Sequence, residues 1–110
     1  MGIYINKTNI ISQDLPGAGN NFLANPVSCK IDYGVVRIYV CISIAGVLSI
    51  YRTHIASGLS ITELLNEGNA LVAGASYTFY VPWVLCDTIN LRYSTTGGTI
   101  YKLQIDEGDD

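Results

Sequence analysis

The chain reads as a single all-β domain, an antiparallel β-sandwich of jelly-roll-like type with an extended N-terminal arm. Three observations predict it. From Ser76 to Asp106, apolar residues recur at every second position, in Tyr77, Phe79 and Val81, in Ile89, Leu91 and Tyr93, and in Tyr101, Leu103 and Ile105. A period of two marks half-buried strands. Turn-forming residues break these runs at Pro82 to Asp87 and at Ser94 to Thr99, the spacing of a sandwich made from many short strands. A chain of 110 residues also has room for one core and no second domain. The expected division is residues 1–26 as the arm, 27–107 as the sandwich and 108–110 as an acidic tail.

In Met1 to Pro26, Ile3 and Ile5 alternate around Tyr4 like a short strand, but LPGAGNN and ANP follow with glycine and proline breaks. That composition favours an extended segment with little packing of its own. It is expected to lie on, or exchange with, a neighbouring subunit, plain fraying being the alternative. Val27 to Tyr33 and Val35 to Ala45 are predicted to form a strand pair. Val36, Ile38, Val40, Ile42 and Ile44 make its core face, with Arg37, Tyr39, Cys41 and Ser43 opposite.

Val47 to Ile55 alternates again, placing Leu48 and Ile50 on the side of Arg52 and His54. Leu59 to Leu65 fits either a strand or a short helix capped by Ser60 with Glu63 three residues later. Seven residues are few for a helix, so a strand is preferred. Asn69 to Gly74 is then a turn into a three-strand meander, with Gly97-Gly98 as a hairpin turn. Ile38, Val40, Ile42, Phe79, Ile89, Leu91 and Leu103 are the expected core.

At 49% hydrophobic and 14% charged, the chain is poorer in charge than an average domain at about 25%. So much apolar surface on a small protein predicts a homo-oligomer, a trimer or higher array, with a core rich in Tyr and Ile as the alternative. The net charge of −3 is concentrated in Asp106, Glu107, Asp109 and Asp110. The body is near neutral and has no basic patch, so nucleic acid is not an expected partner. Met1 to Asn9 lacks the basic and apolar regions of a signal peptide. The most apolar run, Val35 to Ile50, is interrupted by Arg37, Ser43 and Gly46 and reads as strands, because a spanning helix needs about 20 apolar residues.

Cys29, Cys41 and Cys86 are odd in number and lack zinc-site spacing. Cys29 and Cys41 come near each other across a hairpin turning at Tyr33 and Gly34, leaving a disulfide and three separate buried thiols as alternatives. The thiols are preferred, since cysteine packs as a small hydrophobe. His54 is the sole histidine and shares a strand face with Arg52. The sequence marks no partner for it, the acids of the body form no close pair, and phosphate-cradling glycine motifs are absent. No catalytic residue, metal ligand or cofactor is assigned, and the chain is not expected to be an enzyme. Eight tyrosines and one tryptophan point instead to contacts between chains, because aromatic side chains anchor interfaces. The subunit-contact residues expected are Ile3, Ile5, Phe22, Tyr80 and Trp83.

The stretch YTFYVPWVLCDTINLRYSTTGGTIYKLQIDE, preceded by ITELLNEGNALVAGA, resembles small virion proteins of tailed phages and archaeal viruses. In that pattern a leucine-asparagine-glycine turn leads to an aromatic-rich strand, a proline-started turn, a strand close to INLRYS and a last strand containing KL. The likeness runs from Ile61 to Glu107. It departs at Trp83 and Cys86, where the pattern holds a small residue and a glycine. The resemblance implies a β-sandwich capsid, decoration or tail-associated subunit, made in the host cytoplasm, located in the virion and in contact with other virion proteins. Two other functions are kept beside it: a carbohydrate- or peptide-binding module, and an extracellular filament subunit joined by N-terminal strand exchange.

Overall fold

The structure is a computed structural model that describes residues 3–29, 34–82 and 88–108. Within them lie eight strands: β1 (Tyr4–Asp14), β2 (Val27–Ser28), β3 (Val35–Ile42), β4 (Leu48–Thr53), β5 (Ser60–Leu64), β6 (Ser76–Pro82), β7 (Thr88–Tyr93) and β8 (Thr99–Gly108). They form two antiparallel sheets packed together, ordered β1-β8-β3-β6 and β2-β7-β4-β5. No helix among the described residues is long and apolar enough to cross a membrane.

The pairing has a simple geometric origin. First pairs with last throughout: β1 with β8, β2 with β7, β3 with β6 and β4 with β5. The chain is one long antiparallel ribbon closed at the β4–β5 turn, then wrapped so that β8 also meets β3 and β7 meets β4. That closing turn is a true hairpin. Gly58 takes a φ of +72° there, the Gly58 amide donates to the His54 carbonyl and the His54 amide donates to Leu59. Each other connection crosses from one sheet to the other.

The crossing connections correct two expectations. The stretch from Ser76 to Asp106 is not a meander, since β6 and β8 belong to one sheet and β7 to the other. β2 and β3 are likewise in different sheets, so they form no hairpin. Alternation tells a strand which side faces the core, and turn residues tell where it ends. Neither specifies the strand beside it. Leu59 to Leu65 does contain a strand, β5, as preferred. Glu63 caps no helix but pairs with Arg52 across β4 and β5 at 2.8 Å, a diagonal contact on one sheet face.

The core lies between the sheets. Val36, Ile38, Val40 and Ile42 of β3 and Ile100, Leu103 and Ile105 of β8 meet Leu48 and Ile50 of β4 and Ile89, Leu91 and Tyr93 of β7, all buried. Each such aliphatic side chain contributes roughly 1.5–3 kcal/mol through removal from water. Six of the seven expected core residues are buried, and Phe79 is half-buried, stacked on Tyr77 with centroids 5.8 Å apart. Against β3, the register of β8 slips by one, from Cys41 opposite Lys102 to Ile42 opposite Ile100. The slip turns Ile100 inward and leaves Tyr101 exposed.

The expected arm is absorbed into the sandwich. β1 runs antiparallel along β8 from Tyr4 opposite Gly108 to Asp14 opposite Thr99. The segment after it is tied to β7, with Gly19 donating to Tyr93 and Phe22 to Leu91, while the Asn90 amide accepts from the Leu23 N–H and donates to its carbonyl. Leu15 and Phe22 are core residues. The radius of gyration, 13.2 Å, is close to that of a compact domain, about 13 Å for 100 residues. Glycine and proline in LPGAGNN bend the chain back onto its own sheet, where isolated apolar residues without any period can still be buried.

Candidate functional site

The outer face of the β1-β8-β3-β6 sheet carries a polar cluster at one end and a groove beside it. Register sets both. Asn6, Asp106, Arg37 and Tyr80 occupy one row across the four strands. Asp106 is only 3% exposed and accepts from Asn6 Nδ2 at 2.9 Å, Arg37 Nη2 at 3.0 Å and Gln104 Nε2 at 3.0 Å. Burial alone would raise its pKa, but these three hydrogen bonds and the Arg37 charge outweigh it and hold the carboxyl below the usual aspartate value. Arg37 is raised in turn, chiefly by its bond to Asp106.

Aromatic rings complete the cluster. The Arg37 guanidinium lies 3.8 Å from the centre of the Tyr4 ring and 5.1 Å from that of Tyr39, a cation–π arrangement. Tyr4 rests on Gly108, where a Cβ would run into the ring. On the inner side, Lys7 is the extra residue of a β-bulge in β1, and its Nζ lies 3.6 Å from Glu107 Oε1. These contacts fasten β1 to β8 and β3.

Next to the cluster, a groove of about 440 Å³ runs over β3, β6 and β8. Its side-chain walls are Tyr39, Cys41, Ser76, Thr78, Lys102 and Gln104. A second cleft, about 420 Å³, opens between β1 and β2 and is lined in part by Ile5, Lys7, Asn25 and Pro26.

Most of the exposed apolar residues gather at sheet edges, Tyr101 on inner strand β8 and Val72 in a loop being apart from them. Ile55, Leu59, Ile61 and Leu64 are exposed on edge strand β5 and the turn before it, and Ile3, Ile5 and Ile11 on and beside edge strand β1. Of the expected contact residues, Ile3, Ile5 and Tyr80 are exposed, Tyr80 on edge strand β6. Ile3 and Ile5 share the β1 edge, and Tyr80 lies at the opposite edge of the same sheet. Trp83 and Cys86 lie outside the described residues, as do Tyr33, Asp109 and Asp110. Phe22 is corrected outright: it is 4% exposed and meets Tyr93 edge-on at 6.4 Å, so it is a core residue and not a contact.

Cys41 is a free thiol on the outer sheet face, its Sγ 3.4 Å from the Gly74 carbonyl. No disulfide joins Cys41 to Cys29, which follows β2 of the other sheet, and both are half-buried where buried thiols were expected. His54 is half-buried at the β4–β5 turn. Among the described residues, no three His, Cys, Asp or Glu side chains are grouped to hold a metal. Sequence reasoning missed the patch on β5 and the groove. The patch was legible in principle, because Ile61 and Leu64 put apolar side chains on both faces of one short strand; the groove depends on pairing across three strands. Compared with protein-family models, curated proteins and solved structures, the chain finds no match.

Proposed function

We propose that this chain is a non-enzymatic structural subunit of a viral particle, of capsid or decoration type, located in the virion and assembled as a homo-oligomer, a trimer or higher array. The observation that carries the reading is the strand order, β1-β8-β3-β6 over β2-β7-β4-β5. We read an antiparallel ribbon wrapped in this way as a jelly roll, the two-sheet architecture of many viral capsid domains. The likeness of residues 61–107 to small virion proteins supports the same conclusion from the sequence side.

The distribution of apolar surface supports assembly. Ile55, Leu59, Ile61 and Leu64 fall within ten residues of sequence at one edge, and all are exposed. An apolar edge strand with unpaired backbone groups is a template for another chain unless it is covered. Contact through β5 and its turn removes both liabilities at once. Light scattering after size exclusion, followed by electron microscopy of the peak, tests the proposal. A defined symmetric oligomer is expected. A monomer throughout the micromolar range would overturn it.

A further inference from the structure

The groove on the outer sheet face differs in kind from the apolar edges. Its volume of about 440 Å³ falls within the range of small-ligand sites, about 300–1,000 Å³. Register arranges its lining in two rows across three strands: Thr78, Tyr39 and Gln104 in one, Ser76, Cys41 and Lys102 in the other. The rows set the Tyr39 ring and the methylenes of Lys102 and Gln104 beside short polar groups, a mixture of apolar surface and hydrogen-bonding groups that suits a ring with one C–H face and several hydroxyls.

What the rows offer is one aromatic ring, two hydroxyls, an amide, a thiol and an ammonium group. The amide is already oriented. Gln104 gives its NH₂ to the two Asp106 oxygens at 3.2 and 3.0 Å, which leaves its carbonyl oxygen to accept from a ligand. Tyr39 has Arg37 5.1 Å from its ring centre, a contact that favours this placement of the ring. Lys102 has no carboxylate within ion-pair distance among the described residues. The groove therefore presents a cation on a protein whose net charge is −3, and recognition of an anion must be local.

We propose that this groove binds a saccharide bearing a carboxylate. The C–H face of the sugar ring lies against Tyr39, its hydroxyls exchange hydrogen bonds with Ser76, Thr78 and the Gln104 carbonyl, and its carboxylate pairs with Lys102. Hydroxyl-rich rings match short polar side chains on a sheet face, and the carboxylate supplies an anion that Lys102 does not find among the described residues. The site does not depend on the virion reading: its residues all come from β3, β6 and β8 of one chain.

The test is an amide chemical-shift titration of the full chain with sialyllactose, with neutral lactose and a tetraglutamate peptide in parallel. Saturable shifts at Tyr39, Cys41, Thr78, Lys102 and Gln104 are expected with sialyllactose. Lys102→Met should weaken that binding about tenfold, equivalent to roughly 1.4 kcal/mol, and Tyr39→Leu should weaken both saccharides. Unchanged shifts outside the groove verify that each variant is folded. Absence of saturation, shifts centred elsewhere, or sialyllactose binding unaffected by Lys102→Met would overturn the proposal. Equal binding of tetraglutamate would replace the saccharide by an acidic peptide.

Discussion

Asp106 shows how much one row of side chains holds in place. Its pKa in the folded chain lies below that in the unfolded chain, about 3.9, because Asn6, Arg37 and Gln104 donate to it. Its contribution to stability is therefore complete above that unfolded value and is lost as the pH falls through the folded value. Asp106→Asn should lower stability at neutral pH by about 1–2 kcal/mol, the loss of charge-assisted hydrogen bonds from Asn6, Arg37 and Gln104 at a pair whose arginine is partly exposed. Thermal melts from pH 7 downward should show the gap between variant and wild type closing in acid; a constant gap would mean that the carboxylate is not what Arg37 needs. Phe22 gives the second prediction at this scale. Phe22→Ala should cost roughly 3–5 kcal/mol in denaturant unfolding, and a change in assembly alone, with stability kept, would return Phe22 to the surface.

The strands were legible in their faces and opaque in their partners. Alternation in Val36 to Ile42 and in Leu103 to Ile105 marks the inward side directly, because one face is dry and the other is not. That β6, β7 and β8 divide between two sheets is invisible to a pattern of period two. β1 was misread for a related reason: none of its residues is fully buried, so its composition resembles that of a free segment. Its attachment comes from the backbone ladder to β8 and from Tyr4, Asn6 and Lys7, which leave no apolar period. Removing residues 1–25 therefore takes away an edge strand and two core side chains, Leu15 and Phe22. The truncated chain is expected to lose cooperative unfolding and near-ultraviolet dichroism, where a mere arm would leave both intact.

At the scale of the whole molecule, the wrapped ribbon buries one continuous core and leaves apolar side chains at its edges. Ile3, Ile5 and Tyr80 are expected at the surface from sequence, but the β5 edge is foreshadowed only by a surplus in composition; its location depends on which strands end up outermost, and that follows from the wrap. A subunit built to assemble would keep its fold when the edge is made polar and lose its partners. The β5 patch is suited to this, since Ile61 and Leu64 are exposed and contribute little to the core. The most direct measurement is sedimentation equilibrium of the wild type beside Ile61→Lys, Leu64→Lys, with circular dichroism as the control for folding. The wild type should sediment as a homo-oligomer and the double variant as a monomer with an unchanged β spectrum. A monomeric wild type, or a variant that assembles as well as its parent, would contradict the account.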